Sequence, residues 1–269
     1  MPLALVAPGS NVPGAVLLGD IMRTYVIGDI HGQLELLKAL HERIARDNAA
    51  RGGGGHLVHV GDLIDRGPDS RGVVDYLMRG QMAGRPWTVL KGNHDRFLPR
   101  FAAQPDWIDP GLASGRHWLD HTTLGAGPTL ASYGVERGDR PHAAVLEDTL
   151  KAVPEAHLRW LDQLPLFHRL PQAVIVHAGM RPGVPLERQT EHDLLWIRQG
   201  FLDDASDHGV LVVHGHSPVD RVTHFGNRLA VDTGAAYGGA LSAVVFDDDG
   251  LHDLTEEGRV PIHRTALPA

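Results

Sequence analysis

The chain is predicted to be an α/β fold with a parallel sheet, and three features carry that prediction. Short apolar runs at 24–28, 56–60 and 86–90 are each followed by a polar loop and then by a helical segment, with inward-facing apolar residues spaced for a helix in the first two. The loops open on similar pairs, Gly28-Asp29, Gly61-Asp62 and Gly92-Asn93. Ligands collect at the carboxyl ends of parallel strands, where all three loops would lie.

Taken in order, residues 1–21 have an apolar flavour but no Lys or Arg ahead of the apolar stretch, which fits a secretory signal poorly. They are read as a disordered leader or an early start codon, with 22–269 as a single domain. Leu34, Leu37, Leu40 and Ile44 mark a first helix over 33–47, and Gly52 to Gly55 a flexible connection. Pro68-Asp69-Ser70 starts a second helix whose Val73, Val74, Leu77 and Met78 face inward. A third begins near Arg96.

From 104 to 164 the pattern changes, with Trp107, Trp118 and Trp160 set among Pro, Gly and Asp. This stretch is expected to be a helical insertion over the site, with helices at 143–153 and 155–164. Sheet character returns at 166–170 and 173–176, then at 210–213; residues 193–198 read as a helix or turn. The runs 229–232 and 241–246 are expected to close a second sheet.

Bulk composition narrows the function. No apolar run is long enough to span a bilayer, so no membrane association is expected and cytoplasm is the default location. A formal charge of -8 argues against nucleic acid held by the overall field. With no cysteine, disulfides and thiolate ligands are excluded, and any metal must be held by His, Asp, Glu or Asn. Oligomeric state is not encoded in any of these features.

The strand ends offer Asp29, His31, Asp62, Asn93, His177 and His216, all nitrogen or oxygen donors. Such a set suffices for two divalent ions: Asp29, His31 and Asp62 on the first, and Asp62, Asn93, His177 and His216 on the second, Asp62 bridging. Mixed imidazole and carboxylate donors suit manganese, iron or zinc better than calcium or magnesium, and manganese is the first choice. A hydroxide lodged between the ions would be placed for in-line attack on phosphorus. Arg66 and Arg198 are candidate clamps for phosphate oxygens. His94 is the candidate acid for the leaving alkoxide, with Asp65 expected to hydrogen-bond it and raise its pKa.

Each motif alone is weak in a chain with 32 glycines, since Gly-Asp pairs commonly make turns. Their joint occurrence, each just after an apolar strand, favours the metal reading. Of His214 and His216 the latter is favoured, because Gly215 allows close backbone approach and Ser217-Pro218 follows as a fixed turn. Arg198 carries equal weight as a solvated helix-end residue. Asp232 reads as a turn residue behind the ligands, the tryptophans as packing, and His56, His59, His117 and His121 as ordinary histidines.

Gly28-Asp29-Ile30-His31-Gly32, Gly61-Asp62-Leu63-Ile64-Asp65-Arg66-Gly67 and Gly92-Asn93-His94-Asp95 resemble the three signatures of PPP-type serine/threonine phosphoprotein phosphatases, of the calcineurin-like metallophosphoesterase superfamily. His177 and Gly215-His216 are similar to that family's later metal ligands. The resemblance implies a four-layer β-sandwich flanked by helices, a dinuclear site, and direct hydrolysis without a phosphoenzyme. It is closer to the small bacterial and phage branch: Asp95 stands where the eukaryotic signature has Glu, and Leu194 to Arg198 resembles a bacterial pattern whose arginine contacts phosphate.

Symmetrical diadenosine tetraphosphate hydrolases are also similar around His177-Ala178-Gly179 and Leu195 to Arg198, but typically carry a small residue in place of Asp65. The expected substrates are therefore phosphomonoesters, phosphoserine or phosphothreonine in proteins together with small phosphoesters. The alternatives are dinucleoside polyphosphate hydrolysis and a metal-holding interaction module without catalysis; the presence of His94, Asp65 and Arg66 argues against the last.

Overall fold

The computed structural model describes residues 23–265, so the leader expected at 1–21 lies outside the described residues. The first half runs β1 (Thr24–Ile27), α1 (Leu34–Ala50), β2 (His56–His59), α2 (Ser70–Met82), β3 (Trp87–Val89) and α3 (Phe97–Ala103). Leu37, Leu40 and Ile44 line the buried stripe of α1. Asp69 caps α2 by accepting the Gly72 amide at 2.7 Å, which satisfies one free N–H of the first turn. Then come α4 (Ala126–Ser132), α5 (His142–Ala152) and α6 (Glu155–Asp162), which pack on α2 and α3.

The second half runs β4 (Phe167–Arg169), β5 (Ala173–Val176), α7 (Glu191–Trp196), β6 (Leu211–His214), β7 (Thr223–His224) and β8 (Arg228–Ala230), and ends in β9 (Ala243–Asp247), β10 (Gly250–Thr255) and β11 (Gly258–Pro261). The strands form two sheets, ordered β11-β10-β9-β1-β2-β3 and β4-β5-β6-β8-β7. β1, β2 and β3 are parallel, as are β5, β6 and β8. One expectation fails: the run 241–246 does not close the second sheet. It forms β9, antiparallel to β1, with Val26 opposite Val244 in the first sheet. The hairpin of β10 and β11 then extends that sheet.

The sheets face each other across an apolar layer that includes Val26, Val58, Val60, Ile175, Val213, Leu229, Val231 and Val244. Outside the first sheet, Tyr25, Ile27, Leu57 and Val89 pack with the helices. Outside the second, Val174, Val176 and Val212 pack with Leu194 of α7 and with Phe201. The strands buried on both faces therefore read as continuous apolar runs. The result is the four-layer arrangement the resemblance implied. Because the six parallel strands run with their carboxyl ends together, both sheets deliver their polar loops to one place.

Candidate metal centre

Each candidate ligand leaves the end of a strand: Asp29 and His31 after β1, Asp62 after β2, Asn93 after β3, His177 after β5 and His216 after β6. All six are buried. The loops are stitched to one another. The Ile30 and His31 amides both donate to the Asp62 carbonyl, and the Gly215 amide donates to that of His177. The sheets meet where His177 Nδ1 donates to Val60 O (3.1 Å) and the His216 amide donates to Asp29 Oδ2 (2.9 Å). Gly215 is required there, since a Cβ on it would lie 1.9 Å from Asp29 Oδ1.

The backbone is forced into shape at these loops. Among the described residues, the non-glycine residues with positive φ are His31 (46°), Asp62 (51°), Asp65 (74°), Arg66 (68°) and His216 (64°). Side-chain-bearing residues adopt that region at a cost of about 1–2 kcal/mol each and hold it where their surroundings over-determine it. All five are candidate site residues.

Asp62 divides its carboxylate. Oδ2 lies 3.3 Å from His31 Nε2 and 4.0 Å from His94 Nε2, while Oδ1 lies 3.3 Å from His177 Nε2 and accepts the His94 amide at 2.9 Å. Two donor groups result, His31-Asp62-His94 and Asp62-His177-His216, each compact enough to hold an ion and sharing Asp62. Among the described residues, Asp29 Oδ1 beside them is buried with no hydrogen-bond partner, and so is His216 Nε2.

The donor chemistry fits cations. His31 and His177 both commit Nδ1–H to backbone carbonyls, of Ile64 (2.9 Å) and Val60, which leaves each Nε2 as a lone pair. The His177 lone pair faces the carboxamide oxygen of Asn93 at 2.8 Å. Burial lowers the His177 pKa to about 4, so an imidazolium does not relieve this facing of acceptors. A shared divalent cation would. Burial, then Asp232 and Asp62, push the Asp29 pKa well up. Burial would raise Asp62 too, but His177, His94 and His31 outweigh it and hold that carboxyl well below its usual range. The Arg66 guanidinium NH1 lies against His31 Nε2, so an ion bound by His31 would take that lone pair from it.

Behind the donors, His94 Nδ1 is 2.7 Å from Asp65 Oδ2, the contact expected from the sequence. Asp65 acts on the His94 pKa in the expected direction, but the net shift is the opposite one. Burial lowers the His94 pKa, and the opposing pull of Asp62 and Asp65 does not overcome it. Arg66 NH2 lies 3.0 Å from His94 Nε2, and the Arg66 guanidinium carbon stands 5.2 Å from the ring centroid of Tyr237. Arg198 is an exposed residue, as the solvated reading expected, yet its guanidinium also donates to the His216 carbonyl at 3.2 Å.

Several residues support the site through contacts the sequence did not reveal. Asp95 accepts the amides of Leu63 and Gly92, each at 2.8 Å, and so ties the second loop to the third. Asp232 makes a turn by accepting the Gly234 amide at 3.0 Å, as expected, yet is buried close enough to Asp29 to raise its pKa. Trp118, expected to serve packing alone, donates Nε1–H to Asp65 Oδ2 (3.1 Å), and Thr129 Oγ1 donates to Asp65 Oδ1 (2.8 Å). Tyr237 could have been suspected from Gly234, Gly238 and Gly239 around it, which let a tight turn carry one exposed aromatic ring. A further cluster, His117-Asp120-His142, is a surface ion-pair group in which Arg137 also bonds Asp120.

Two facing sheets whose parallel strands converge on a shared carboxylate, flanked by carbonyl-locked histidines, define a metal-dependent phosphoester hydrolase. Comparison with known proteins agrees. Residues 22–246 match the family described as "Calcineurin-like phosphoesterase", and the chain belongs to that family. It is 30% identical over 230 residues to serine/threonine-protein phosphatase 1 of Salmonella typhimurium, covering 81% of this chain and 89% of that one. It is 25% identical over 249 residues to bis(5'-nucleosyl)-tetraphosphatase PrpE [asymmetrical] of Bacillus thuringiensis, covering 84% and 92%. Among solved structures, the cold-active protein-tyrosine phosphatase of a Shewanella species superposes with a TM-score of 0.61 at 15% identity, over 90% of this chain and 81% of that one. That likeness is one of fold.

Proposed function

We propose that the chain is a phosphomonoesterase acting on phosphoserine and phosphothreonine in proteins and on small phosphoesters, using two divalent cations held by Asp29, His31, Asp62, Asn93, His177 and His216. Manganese is the metal this donor set favours, with iron or zinc also suited to it. Bound there, the cations supply an activated water and neutralise phosphoryl oxygens.

The protein's own groups do the rest. Arg66, beside His94, and Arg198, bonded to the His216 carbonyl, bind the remaining phosphoryl oxygens and orient phosphorus for in-line attack. The step requires His94 as the imidazolium, with Nδ1–H on Asp65 and a proton also on Nε2; as the bond from phosphorus to the leaving oxygen breaks, the Nε2 proton passes to that oxygen, an alcohol departs, inorganic phosphate remains and His94 is left neutral. Asp65 keeps Nδ1 occupied, which leaves Nε2 as the nitrogen that faces the site. The observation that carries the reading is this 2.7 Å contact beside the ligand cluster. Serine and threonine alkoxides are poor leaving groups and need such an acid. A domain that only held metal would not need one.

The second reading, hydrolysis of dinucleoside tetraphosphates, draws its support from the relatives that carry that name. The two separate in one assay. Wild type, Asp62→Asn and His94→Asn are given a phosphopeptide, p-nitrophenyl phosphate and diadenosine tetraphosphate with manganese. Turnover of the phosphopeptide and p-nitrophenyl phosphate is expected, and a clear preference for the dinucleotide would move the assignment to the second reading. No turnover of any substrate with any metal would contradict the enzyme reading itself.

A further inference from the structure

Asp65 is a fully buried carboxylate whose ion-pair partner among the described residues is His94 alone. A charge in that position is costly unless all its lone pairs are engaged. The side-chain donors to its oxygens among the described residues all lie outside the loop that carries it. Two of them come from 53 and 64 residues further along. Trp118 Nε1–H reaches Oδ2, the oxygen that also receives His94 Nδ1–H, and the Thr129 hydroxyl reaches Oδ1.

Both donors are aimed. Indole has one N–H and no acceptor, and the buried Trp118 ring is stacked on Phe97 (6.1 Å, 7°) and lies edge-on to Phe101 (5.9 Å, 60°). The single hydroxyl proton of Thr129 goes to Asp65, and its oxygen in turn receives the Asp65 amide at 2.8 Å and lies 3.0 Å from the Ser70 hydroxyl. Gly125, just ahead of α4, seats that helix directly on the loop: a Cβ there would be 2.1 Å from the Arg66 nitrogen.

We infer that Trp118 and Thr129 are positioning residues of the reaction, which fix the Asp65 carboxylate so that His94 presents Nε2 to the leaving oxygen. The segment between α3 and β4 is then part of the acid machinery rather than only a cover. This inference rests on the assignment of His94 as the acid.

The test compares kcat and KM of the manganese-loaded enzyme on phenyl phosphate, whose leaving oxygen needs a proton, and p-nitrophenyl phosphate, whose leaving oxygen hardly does. In Trp118→Phe and in Thr129→Val, kcat on phenyl phosphate falls about 10- to 100-fold, the usual cost of losing a partner that orients a functional histidine. On p-nitrophenyl phosphate it falls less than about 3-fold with KM unchanged, since binding is not touched. Thr129→Ser retains wild-type behaviour. Equal losses on the two esters, or none, would overturn the inference.

A second readout does not depend on turnover. The His94 Nδ1 proton, bonded to a carboxylate, gives a far-downfield NMR resonance, identified by its loss in His94→Asn. It should broaden or vanish in folded Trp118→Phe and Thr129→Val. An unchanged resonance would contradict the positioning role. Its loss in a protein that cleaves neither monoester would uphold the positioning and sink the phosphomonoesterase reading.

Discussion

Asp62 and His94 sit within hydrogen-bond reach of one another and are expected to fail in different ways. Asp62→Asn keeps the shape but removes the one carboxylate charge shared by the two histidine groups; it should lose bound metal and, with it, nearly all turnover. His94→Asn removes none of the six proposed ligands, although His94 lies in one of the two clusters, so metal content should hold while turnover of poor leaving groups falls by roughly 10²- to 10⁴-fold. Metal analysis alongside kinetics distinguishes them. Gly215→Ala drives a Cβ onto Asp29 Oδ1. It should weaken metal retention against a chelator by at least about 10-fold, the size of effect seen when a ligand's support is disturbed; unchanged retention would show that the Asp29 position is not needed. The candidate ligands could be picked out in the sequence because each follows an apolar strand in a short polar loop that carries a glycine. Trp118 and Thr129 were not, because an indole N–H and a hydroxyl find partners anywhere, and the 53 and 64 residues separating them from Asp65 leave no periodic trace.

At the level of elements, β1, β2 and β3 with their helices could be read from alternating apolar runs and caps, and their ends shift by only a few residues in the structure. The strand β9 was recognised as a strand but given to the wrong sheet. Its residues are apolar on both faces, and nothing in such a run says which edge it joins. The two-residue β7 and the polar-rich β10 and β11 were not recognised at all. α4 also escaped, since Ala126–Ser132 carries Gly127 and Pro128 in its first turn, where Pro is tolerated but signals a loop.

The late hairpin is fastened to α1 by Arg259, which bonds Asp47 at 2.6 Å and also Asp247, beside the Asp47 contact with the Tyr25 hydroxyl. Arg259→Met should cost about 2–3 kcal/mol in urea unfolding, below the 3–5 typical of a fully buried pair because Asp47 is only half-buried. Burial acts to raise both carboxyl pKa values, but the bonds from Arg259 outweigh it and lower them. Their contribution is therefore present above the ordinary carboxylate range and is lost as pH falls through the lowered values. The variant should show less acid destabilisation in that window than wild type.

Across the whole molecule, buried neutral histidines link stability to pH. His41 Nε2 and His59 Nε2 lie 2.9 Å apart between α1 and β2. Burial lowers the first to about 2, helped by His59 and Arg85, and the second to about 4. The unfolded chain binds protons on these residues near pH 6.5 while the folded chain does not, so the stability they carry is full above that pH and declines below it, by at most about 1.4 kcal/mol per pH unit for each. The fall in melting temperature between pH 7 and 5 should be smaller in His41→Gln than in wild type; equal falls would contradict the linkage.

The same architecture that buries these histidines brings six strand ends together, and the account stands on what they share. Its most direct test is the metal stoichiometry of the purified, manganese-loaded chain, set beside that of Asp62→Asn. Two divalent ions per chain in the wild type and fewer than one in the variant are predicted, because one carboxylate serves both groups of donors. A wild type that binds a single ion, or an Asp62→Asn chain that keeps two, would contradict it.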